Sequence, residues 1–275
     1  MTGFLVSRRR SGSGTALAPS HRLLRRYISR VVDAHRYHEI SETTHRIMNP
    51  LSHDRLMLAG AICRLGPGAR VLDLACGKGE MLCQFARAFG IRGIGVDVSE
   101  PVLALASKRA RELGVADDLE FRQSDAALAM DLGSFEMVSC IGATWIGGDL
   151  AGTLEIMKSY AVSAATLLVG EVYWKKPPSS ELAAYYGQEF ADLGGTLDIF
   201  TRSGVDLVEM VLTNDDDWDR YAASQWLNVA DWLLANPNDP DATSVREHRD
   251  ESRRLYLESG RDTVGWGIFI GRLEQ

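Results

Sequence analysis

Residues 71–80 read Val71-Leu72-Asp73-Leu74-Ala75-Cys76-Gly77-Lys78-Gly79-Glu80, and this stretch decides the fold. Its apolar start is typical of a buried strand, its small residues indicate a turn, and residues 81–89 follow as a predicted helix. A strand that turns through glycines into a helix brings the backbone close to a nucleotide-like ligand. The sequence therefore predicts a ligand site at this turn.

The acid before the turn separates two classes of ligand. The dinucleotide fingerprint G-x-G-x-x-G serves an anionic pyrophosphate, whereas this turn reads Ala75-Cys76-Gly77-Lys78-Gly79 and follows Asp73. A carboxylate at the end of the strand would repel a pyrophosphate and would attract a ligand with an ammonium and a sulfonium group. S-adenosylmethionine carries both groups, so the turn favours it over NAD.

Two further acids follow the next two predicted strands. Residues 91–98 indicate a buried strand that ends near Asp97, 24 positions after Asp73, where an acid can accept hydrogen bonds from ribose hydroxyls. Asp125 follows the short strand 119–122, where a carboxylate can accept from the exocyclic amine of adenine. The predicted cofactor contacts are Asp73, Ala75, Cys76, Gly77, Gly79, Asp97, Val98, Ser124, Asp125, Ala126 and Ile141.

With these motifs, residues 68–175 resemble a class I S-adenosylmethionine-dependent methyltransferase of the small-molecule branch that includes ubiquinone and menaquinone biosynthesis enzymes. The family's first motif, which lies against the methionine part of the cofactor, matches residues 73–79. Ala75 stands where the family commonly has glycine. The resemblance implies that Asp97 binds the ribose and that Asp125 lies on the adenine side.

The whole chain is also similar to a group of uncharacterised bacterial methyltransferases. The shared stretches are residues 41–50, 142–148 and 170–174. That group does not indicate which molecule accepts the methyl group.

The alternation of predicted strands and helices favours an α/β fold with a parallel sheet and helices on both faces. We expect a Rossmann-like, seven-stranded, mostly parallel sheet with a helical cap, and the resemblance implies that the last strand is antiparallel. The predicted strands are 70–74, 92–97, 119–122, 135–140, 166–170, 205–212 and 264–271. The predicted helices between them are 79–89, 101–113, a short one near 126–130, and 150–161.

The remaining segments suggest how the chain is organised. Residues 1–19 are predicted to be an unstructured leader, and residues 20–65 an N-terminal cap segment. Apolar spacing in that segment predicts three helices, over 20–38, over 41–48 before Pro50, and after Ser52 as a capping residue. The methyltransferase domain is expected over 66–275, with a helical insert at about 213–260 that completes the cap.

The composition of the chain limits its partners, its metal sites and its cellular compartment. The 275-residue chain is 45% hydrophobic and 24% charged, with no apolar run long enough for a membrane span. Residues 1–32 carry seven arginines and no acid, so the rest of the chain has a net charge of −14, which disfavours nucleic acid as a partner. Four cysteines without a C-x-x-C pair favour a reducing cytoplasm and no zinc site. The acidic run 215–217 is interpreted as a solvated helix start and not as a metal site.

Methyl transfer by in-line displacement requires a closed, mostly apolar pocket and at most one base. Trp145, in the glycine-containing loop after the fourth strand, is a candidate wall of that pocket, as are Tyr173 and Trp174 after the fifth strand. Glu171, which ends the fifth strand, could take a proton or hold a cationic acceptor. His45, in the predicted helix 41–48, is a second candidate catalytic group because histidine titrates near neutral pH.

Several questions stay open at the level of sequence. The acceptor atom could be O, N, C or S, and the oligomeric state is not indicated. Residues 141–144 lack the Asn/Asp-Pro-Pro-aromatic motif of enzymes that methylate DNA bases or glutamine, so that class is disfavoured. The alternatives are a non-catalytic module that binds S-adenosylmethionine and an NAD-dependent oxidoreductase.

Overall fold

The computed structural model describes residues 34–128, 130–186 and 190–273. Within these ranges the strands are β1 Arg70–Leu74, β2 Arg92–Asp97, β3 Leu119–Gln123, β4 Phe135–Ile141, β5 Ala161–Trp174, β6 Val205–Leu212 and β7 Val264–Leu273. They form one sheet in the order β3-β2-β1-β4-β5-β7-β6. Strand β7 is antiparallel to β5 and β6, and the other paired strands run parallel. The predicted Rossmann-like sheet is therefore confirmed.

Helices cover both faces of this sheet. They are α1 Ala34–Ser41, α2 His53–Cys63, α3 Glu80–Phe89, α4 Glu100–Glu112, α5 Leu150–Ser159, α6 Ser180–Tyr186, α7 Leu193–Arg202, α8 Asp215–Ala235 and α9 Ala242–Leu255. One apolar layer joins Leu56 and Phe85 to Trp266. The opposite layer joins Leu154 to Phe200 and Phe269. Each central strand is thus buried on both sides, which explains the nearly continuous apolar runs in the sequence.

The strand order reverses between β1 and β4. The chain runs from β1 outward to β3 and then returns to the other side of β1 with β4. Crevices at such a reversal, beyond the carboxyl ends of the strands, are where open α/β sheets bind ligands. The glycine turn after β1 and the loop after β4 therefore face the same crevice.

A helical cap stands above that edge. Helix α1 packs against α8, with Ile40 in an apolar cluster with Val229, Leu233 and Val245. The Asn228 side chain donates to the carbonyl of Ser41 (2.7 Å) and fixes the end of α1. The predicted helical insert holds α8 and α9. Helix α8 starts with a capping box between Asn214 and Asp217, so part of the acidic run 215–217 serves as a helix start.

Two predicted helices are wrong. Helix α1 ends at Ser41, and residues 42–50 form turns and bends instead of a helix. Residues 126–128 form a turn, because the Asp125 carboxylate accepts from the N–H of Ala127 (2.9 Å) and competes with helix formation. Other differences are small shifts at element ends, except that β5 is longer than predicted and that α6 and α7 were not predicted.

Some expectations fall outside the described residues. These are the leader 1–19 and most of the predicted helix 20–38. Among the helices that the structure describes, none combines the length and apolar character that a membrane span requires.

Candidate active site

The turn after β1 uses left-handed backbone at three positions. Ala75, Gly77 and Gly79 have φ values of 56°, 54° and 67°. A Cβ added at Gly77 would lie 2.4 Å from the Met48 Cε and would displace that side chain, and the left-handed backbone also favours glycine at this position. Ala75 tolerates a conformation that costs a non-glycine residue energy, and this explains why glycine is common at its position in the family.

Asp97 ties the turn to β2. Its two carboxylate oxygens accept from the N–H groups of Gly77 and Ser99, both at 2.9 Å. The N–H of Cys76 donates to the carbonyl of Val96 (2.9 Å) and adds a second link between the turn and β2. Each carboxylate oxygen has a second lone-pair direction, so Asp97 can still accept from a ligand hydroxyl.

Asp73 is a buried carboxyl group without a cationic partner among the described residues. It is 3% exposed and accepts from the Ser139 hydroxyl at 2.7 Å. Burial raises the pKa of Asp73 to about 7, with a further contribution from the charge of Asp97 and an opposing one from Ser139. A ligand ammonium group would stabilise the ionised form of this side chain.

The predicted adenine-side residues form a partly apolar edge. Val98 is 59% exposed and Leu128 is 60% exposed, whereas Ala126 is buried between them in the chain. Ser124 is held by its N–H, which donates to the Asp97 carbonyl (3.0 Å), and Asp125 is exposed. Large exposed apolar side chains of this kind suit the face of a planar ring. Leu128 was not identified from the sequence, where its exposure leaves no signal.

Residues 42–50, called the lid segment below, bridge the two loops of the crevice. Met48 lies over Gly77, and the Asn49 side chain lies against Gly142 and donates to the Ile141 carbonyl (3.4 Å). From the turn itself, Lys78 Nζ donates to the carbonyls of Glu42 and His45, both at 2.7 Å. The lid segment is therefore attached to the turn after β1 as well as to the loop after β4.

A cavity of about 250 Å³ lies beside the lid segment. It includes two of the predicted site residues, Trp145 and Glu171. The full lining is Asn49, Pro50, Gly142, Thr144, Trp145, Glu171, Val172, Tyr186, Phe190, Trp218, Tyr221 and Trp266. This chemistry, with mostly apolar walls and few polar groups, is typical of a site for a small organic molecule.

Two predicted pocket residues lie outside this lining. Tyr173 packs edge-to-face on Phe269, with its ring over Gly265. Trp174 contacts Tyr186 and Phe190, ring centroids 5.7 and 5.6 Å away, and so supports two rings that line the cavity. The alternating directions of side chains along a strand send neighbouring residues to different layers, and this was not resolved from the sequence.

Glu171 is the acidic group of the cavity lining. It is 9% exposed, and it accepts from the Thr144 hydroxyl and from the N–H of Val172 (2.8 Å). Burial raises the pKa of Glu171 to about 7, and the two hydrogen bonds limit the rise. The side chain is thus able to take up and release a proton near neutral pH.

His45 does not belong to the cavity lining. Its Nδ1 lies 3.1 Å from Glu42 Oε2, and its ring centroid is 5.0 Å from that of Tyr221. Glu42 is 2% exposed and also accepts from the hydroxyl of Tyr221 (2.7 Å) and from Gln225 (2.6 Å). Burial acts to raise the pKa of Glu42, but the hydrogen bonds and charge of its partners hold that pKa below its ordinary value. His45 therefore braces Glu42 behind the Tyr221 wall.

Sequence reasoning missed most of the aromatic walls. Trp218 and Tyr221 lie in the predicted helical insert 213–260, and the other missed rings are Tyr186, Phe190 and Trp266. These five residues come from α6, the segment before α7, α8 and β7. The aromatic residues of the insert 213–260 were the available signal, but the sequence does not show which rings meet at the cavity.

The turn, the acids at the strand ends and the reversed last strand define a methyltransferase architecture. The methyltransferase domain family matches residues 65–215, more than half of the chain. The chain therefore belongs to this family, and the resemblance stated from the sequence is confirmed.

Two of the following three relatives match most of the chain, and the third matches about a third of it. Uncharacterized protein YjhP of Escherichia coli K12 is 40% identical over 243 residues, which cover 86% of this chain and 98% of that protein. A solved SAM-dependent methyltransferase from Geobacter sulfurreducens, in complex with S-adenosyl-L-homocysteine, is 42% identical with a TM-score of 0.82, and the match covers 88% of this chain and 98% of that one. A ubiquinone biosynthesis O-methyltransferase of Ralstonia nicotianae is 35% identical over 94 residues, 34% of this chain and 37% of that protein.

Proposed function

We propose that this enzyme transfers a methyl group from S-adenosylmethionine to a small-molecule acceptor held in the cavity under the cap. The S-adenosylhomocysteine in the Geobacter relative supports the identity of the methyl donor. The residues of this chain fit that donor as well. Asp73 is a buried carboxyl group whose ionised form a cation would stabilise, Asp97 is a fixed acceptor, and Val98 exposes an apolar surface.

In this assignment each strand end has a distinct role. Asp73 and the turn 75–79 would hold the methionine part, Asp97 would accept from the ribose, and Asp125 would lie on the adenine side. When bound, S-adenosylmethionine supplies an electrophilic methyl group on a positively charged sulfur. Gly142, in the loop after β4, lines the cavity.

The other residues serve the acceptor. Glu171 takes a proton from the acceptor, which leaves a lone pair for the displacement. The aromatic walls and the lid segment exclude water and restrict the acceptor to an aligned position, an effect worth about 7–11 kcal/mol in favourable cases. His45 is a positioning residue. It lies against Glu42, which accepts from the hydroxyl of the lining residue Tyr221.

One observation carries the proposal: a buried carboxyl group, Glu171, faces an apolar cavity next to the crevice that holds Asp73 and Asp97. A non-catalytic module that binds S-adenosylmethionine would have no use for a titratable group in such a cavity. An NAD-dependent oxidoreductase would place pyrophosphate against Asp73, which the charge disfavours. All four cysteines are free thiols, which supports a reducing compartment such as the cytoplasm.

The test separates cofactor binding from turnover. We expect Asp97→Ala to weaken S-adenosylmethionine binding by at least about tenfold, since it removes a charged hydrogen-bond acceptor, and to lower the unfolding temperature, because the N–H groups of Gly77 and Ser99 lose their acceptor. Calorimetric titration measures the affinity, and Asp206→Ala, an exposed acid on β6, is the matched control. A product 14 Da heavier than its precursor, detected by mass spectrometry after incubation with cell extract, would establish transfer. Unchanged affinity in Asp97→Ala would overturn the site assignment.

A further inference from the structure

The cavity is walled by aromatic rings on several sides. Six of the residues that line it are aromatic: Trp145, Tyr186, Phe190, Trp218, Tyr221 and Trp266. Rings of this kind attract cations through the negative charge of their faces, and sets of them form the cages that bind substituted ammonium groups. Trp145 is 41% exposed and forms the wall that an incoming molecule can reach.

The charge of the lining has one sign. Of the described residues that line the cavity, Glu171 is the acid, and none is lysine, arginine or histidine. Behind the Tyr221 wall, Glu42 is a second buried acid, paired with His45. A phosphate or carboxylate in this cavity would lie beside a carboxyl group with no lining cation to offset the repulsion. Anionic acceptors are therefore disfavoured.

Size also limits the acceptor. The cavity of about 250 Å³ lies just below the range of about 300–1,000 Å³ that is typical of sites for small molecules. A compact acceptor group fits inside it, and a long alkyl or isoprenoid tail would extend beyond the lining.

We infer that the methyl acceptor is a small amine, bound as its ammonium ion by the aromatic walls and Glu171. This inference rests on the proposed function and names the substrate class of the same site. A neutral phenol would also meet an apolar wall, but it would leave the attraction between the ring faces and a cation unused. An amine uses that attraction before transfer and also after it, because the methylated product is again a cation.

The chemistry balances without another reactant. The ammonium ion first gives one N–H proton to the Glu171 carboxylate, which leaves a lone pair on nitrogen. The nitrogen–carbon bond then forms as the carbon–sulfur bond of the sulfonium breaks, and the electron pair of that bond stays on sulfur as a neutral thioether. The product nitrogen carries the positive charge that sulfur gave up, and Glu171 returns its proton to solvent.

Three probes of one shape test the charge preference. Choline is cationic, 3,3-dimethylbutan-1-ol is its neutral isostere, and 3,3-dimethylbutanoate is anionic. Titrations of the full chain saturated with S-adenosylhomocysteine, followed by tryptophan fluorescence, give their affinities. We expect choline to bind about tenfold or more tightly than the alcohol, and the anion to bind most weakly.

Substitutions of lining residues test whether the preference for a cation arises in the cavity. Glu171→Gln should reduce choline affinity by about tenfold and leave that of the alcohol unchanged, and Trp145→Leu should lower choline affinity more than Trp145→Phe does. Glu209→Gln, at an exposed position on β6, is the control with wild-type affinities. In turnover assays, small primary to tertiary amines should yield S-adenosylhomocysteine and phenols should not.

The outcomes separate this inference from the proposed function. Equal binding of choline and the alcohol, tightest binding of the anion, no binding of any probe, or turnover of phenols alone would overturn the amine assignment while S-adenosylmethionine still binds. Failure of S-adenosylmethionine to bind would instead overturn the proposed function.

Discussion

Glu171 is the residue on which the proposed chemistry depends. Glu171→Gln keeps the shape of the side chain and an acceptor for the N–H of Val172, and its amide nitrogen can donate to the Thr144 hydroxyl instead of accepting from it, but it cannot take up a proton. We expect kcat to fall by about 10²–10⁴-fold, the usual contribution of a general base, while the affinity for S-adenosylmethionine stays within about twofold because Glu171 lies outside the cofactor crevice. Initial rates and calorimetric titration measure the two effects.

The pH profile provides the control for this residue. Because burial raises the pKa of Glu171 to about 7 in the ligand-free protein, kcat/KM should rise with pH up to about 7 and then level off. The rise should vanish in Glu171→Gln and persist in Glu209→Gln. A wild-type pH profile in Glu171→Gln would mean that another group takes the proton.

Asp73 gives cofactor binding its own pH dependence. Burial raises the pKa of Asp73 to about 7, and a ligand ammonium favours the ionised form, so binding near pH 7 should release a fraction of a proton, about one half. Affinity should therefore rise between pH 5.5 and 7. Calorimetric titration in two buffers of different ionisation enthalpy measures the proton release.

The variant Asp73→Asn tests whether Asp73 is the source of the released proton. It should bind S-adenosylmethionine more weakly at pH 7 and without proton release, whereas Asp125→Asn, at an exposed position, should keep the release. Release of the same fraction by Asp73→Asn would place the titrating group elsewhere.

At the scale of elements, the link between the turn and the lid segment is a side chain from the turn itself. Lys78 donates to carbonyls at residues 42 and 45, just beyond the end of α1, where a cation is favourable. Lys78→Met keeps the apolar stem and loses these bonds. We expect about a tenfold loss of cofactor affinity and faster hydrogen exchange over residues 42–50, with most of the loss absent in Lys78→Arg.

An exposed lysine separates this effect from a general loss of charge. Lys108→Met, on the surface of α4, should leave both readouts unchanged. Unaltered exchange in residues 42–50 of Lys78→Met would show that Met48 and Asn49 hold the lid segment without the lysine.

The turn was predictable because its information is local. Strand, small residues, glycines and helix follow each other in residues 71–89, and the alternation of strands and helices then determines the sheet. The lid segment was not predictable, because the carbonyls of Glu42 and His45 accept from Lys78, more than thirty positions away. The local backbone bond from the N–H of His45 to the carbonyl of Glu42 closes only one turn. The predicted helix 126–130 failed for a local reason, the bond that Asp125 makes to the N–H of Ala127.

The cavity is a product of the whole molecule. Its rings come from the loop after β4, from the region between β5 and α7, from α8 and from β7. Sequence patterns give the elements that carry these rings, but the sheet order and the packing of the cap decide which rings meet. The candidate catalytic group Glu171, inside β5, and the candidate wall Trp145, after β4, both lie in the cavity lining, whereas Trp218 and Trp266 were not among the candidates.

Two buried carboxyl groups at the sheet edge that holds the site make the stability of the folded protein depend on pH. Asp73 and Glu171 have folded-state pKa values of about 7, above the values of about 4 that both have in an unfolded chain. The folded state therefore binds these protons more tightly than the unfolded state does. Their contribution to stability is fully present below about pH 4 and is lost as the pH rises through about 7.

The double variant Asp73→Asn, Glu171→Gln tests this linkage. Without cofactor, the wild-type free energy of unfolding should fall by a few kcal/mol, as an order of magnitude, between pH 5.5 and pH 8 because of these two groups. The variant should lose most of that slope, whatever its absolute stability, because an amide does not titrate. Urea unfolding at both pH values, followed by circular dichroism, measures the difference. An equal slope in the wild type and the variant would show that the ionised carboxylates are not destabilising in the folded protein.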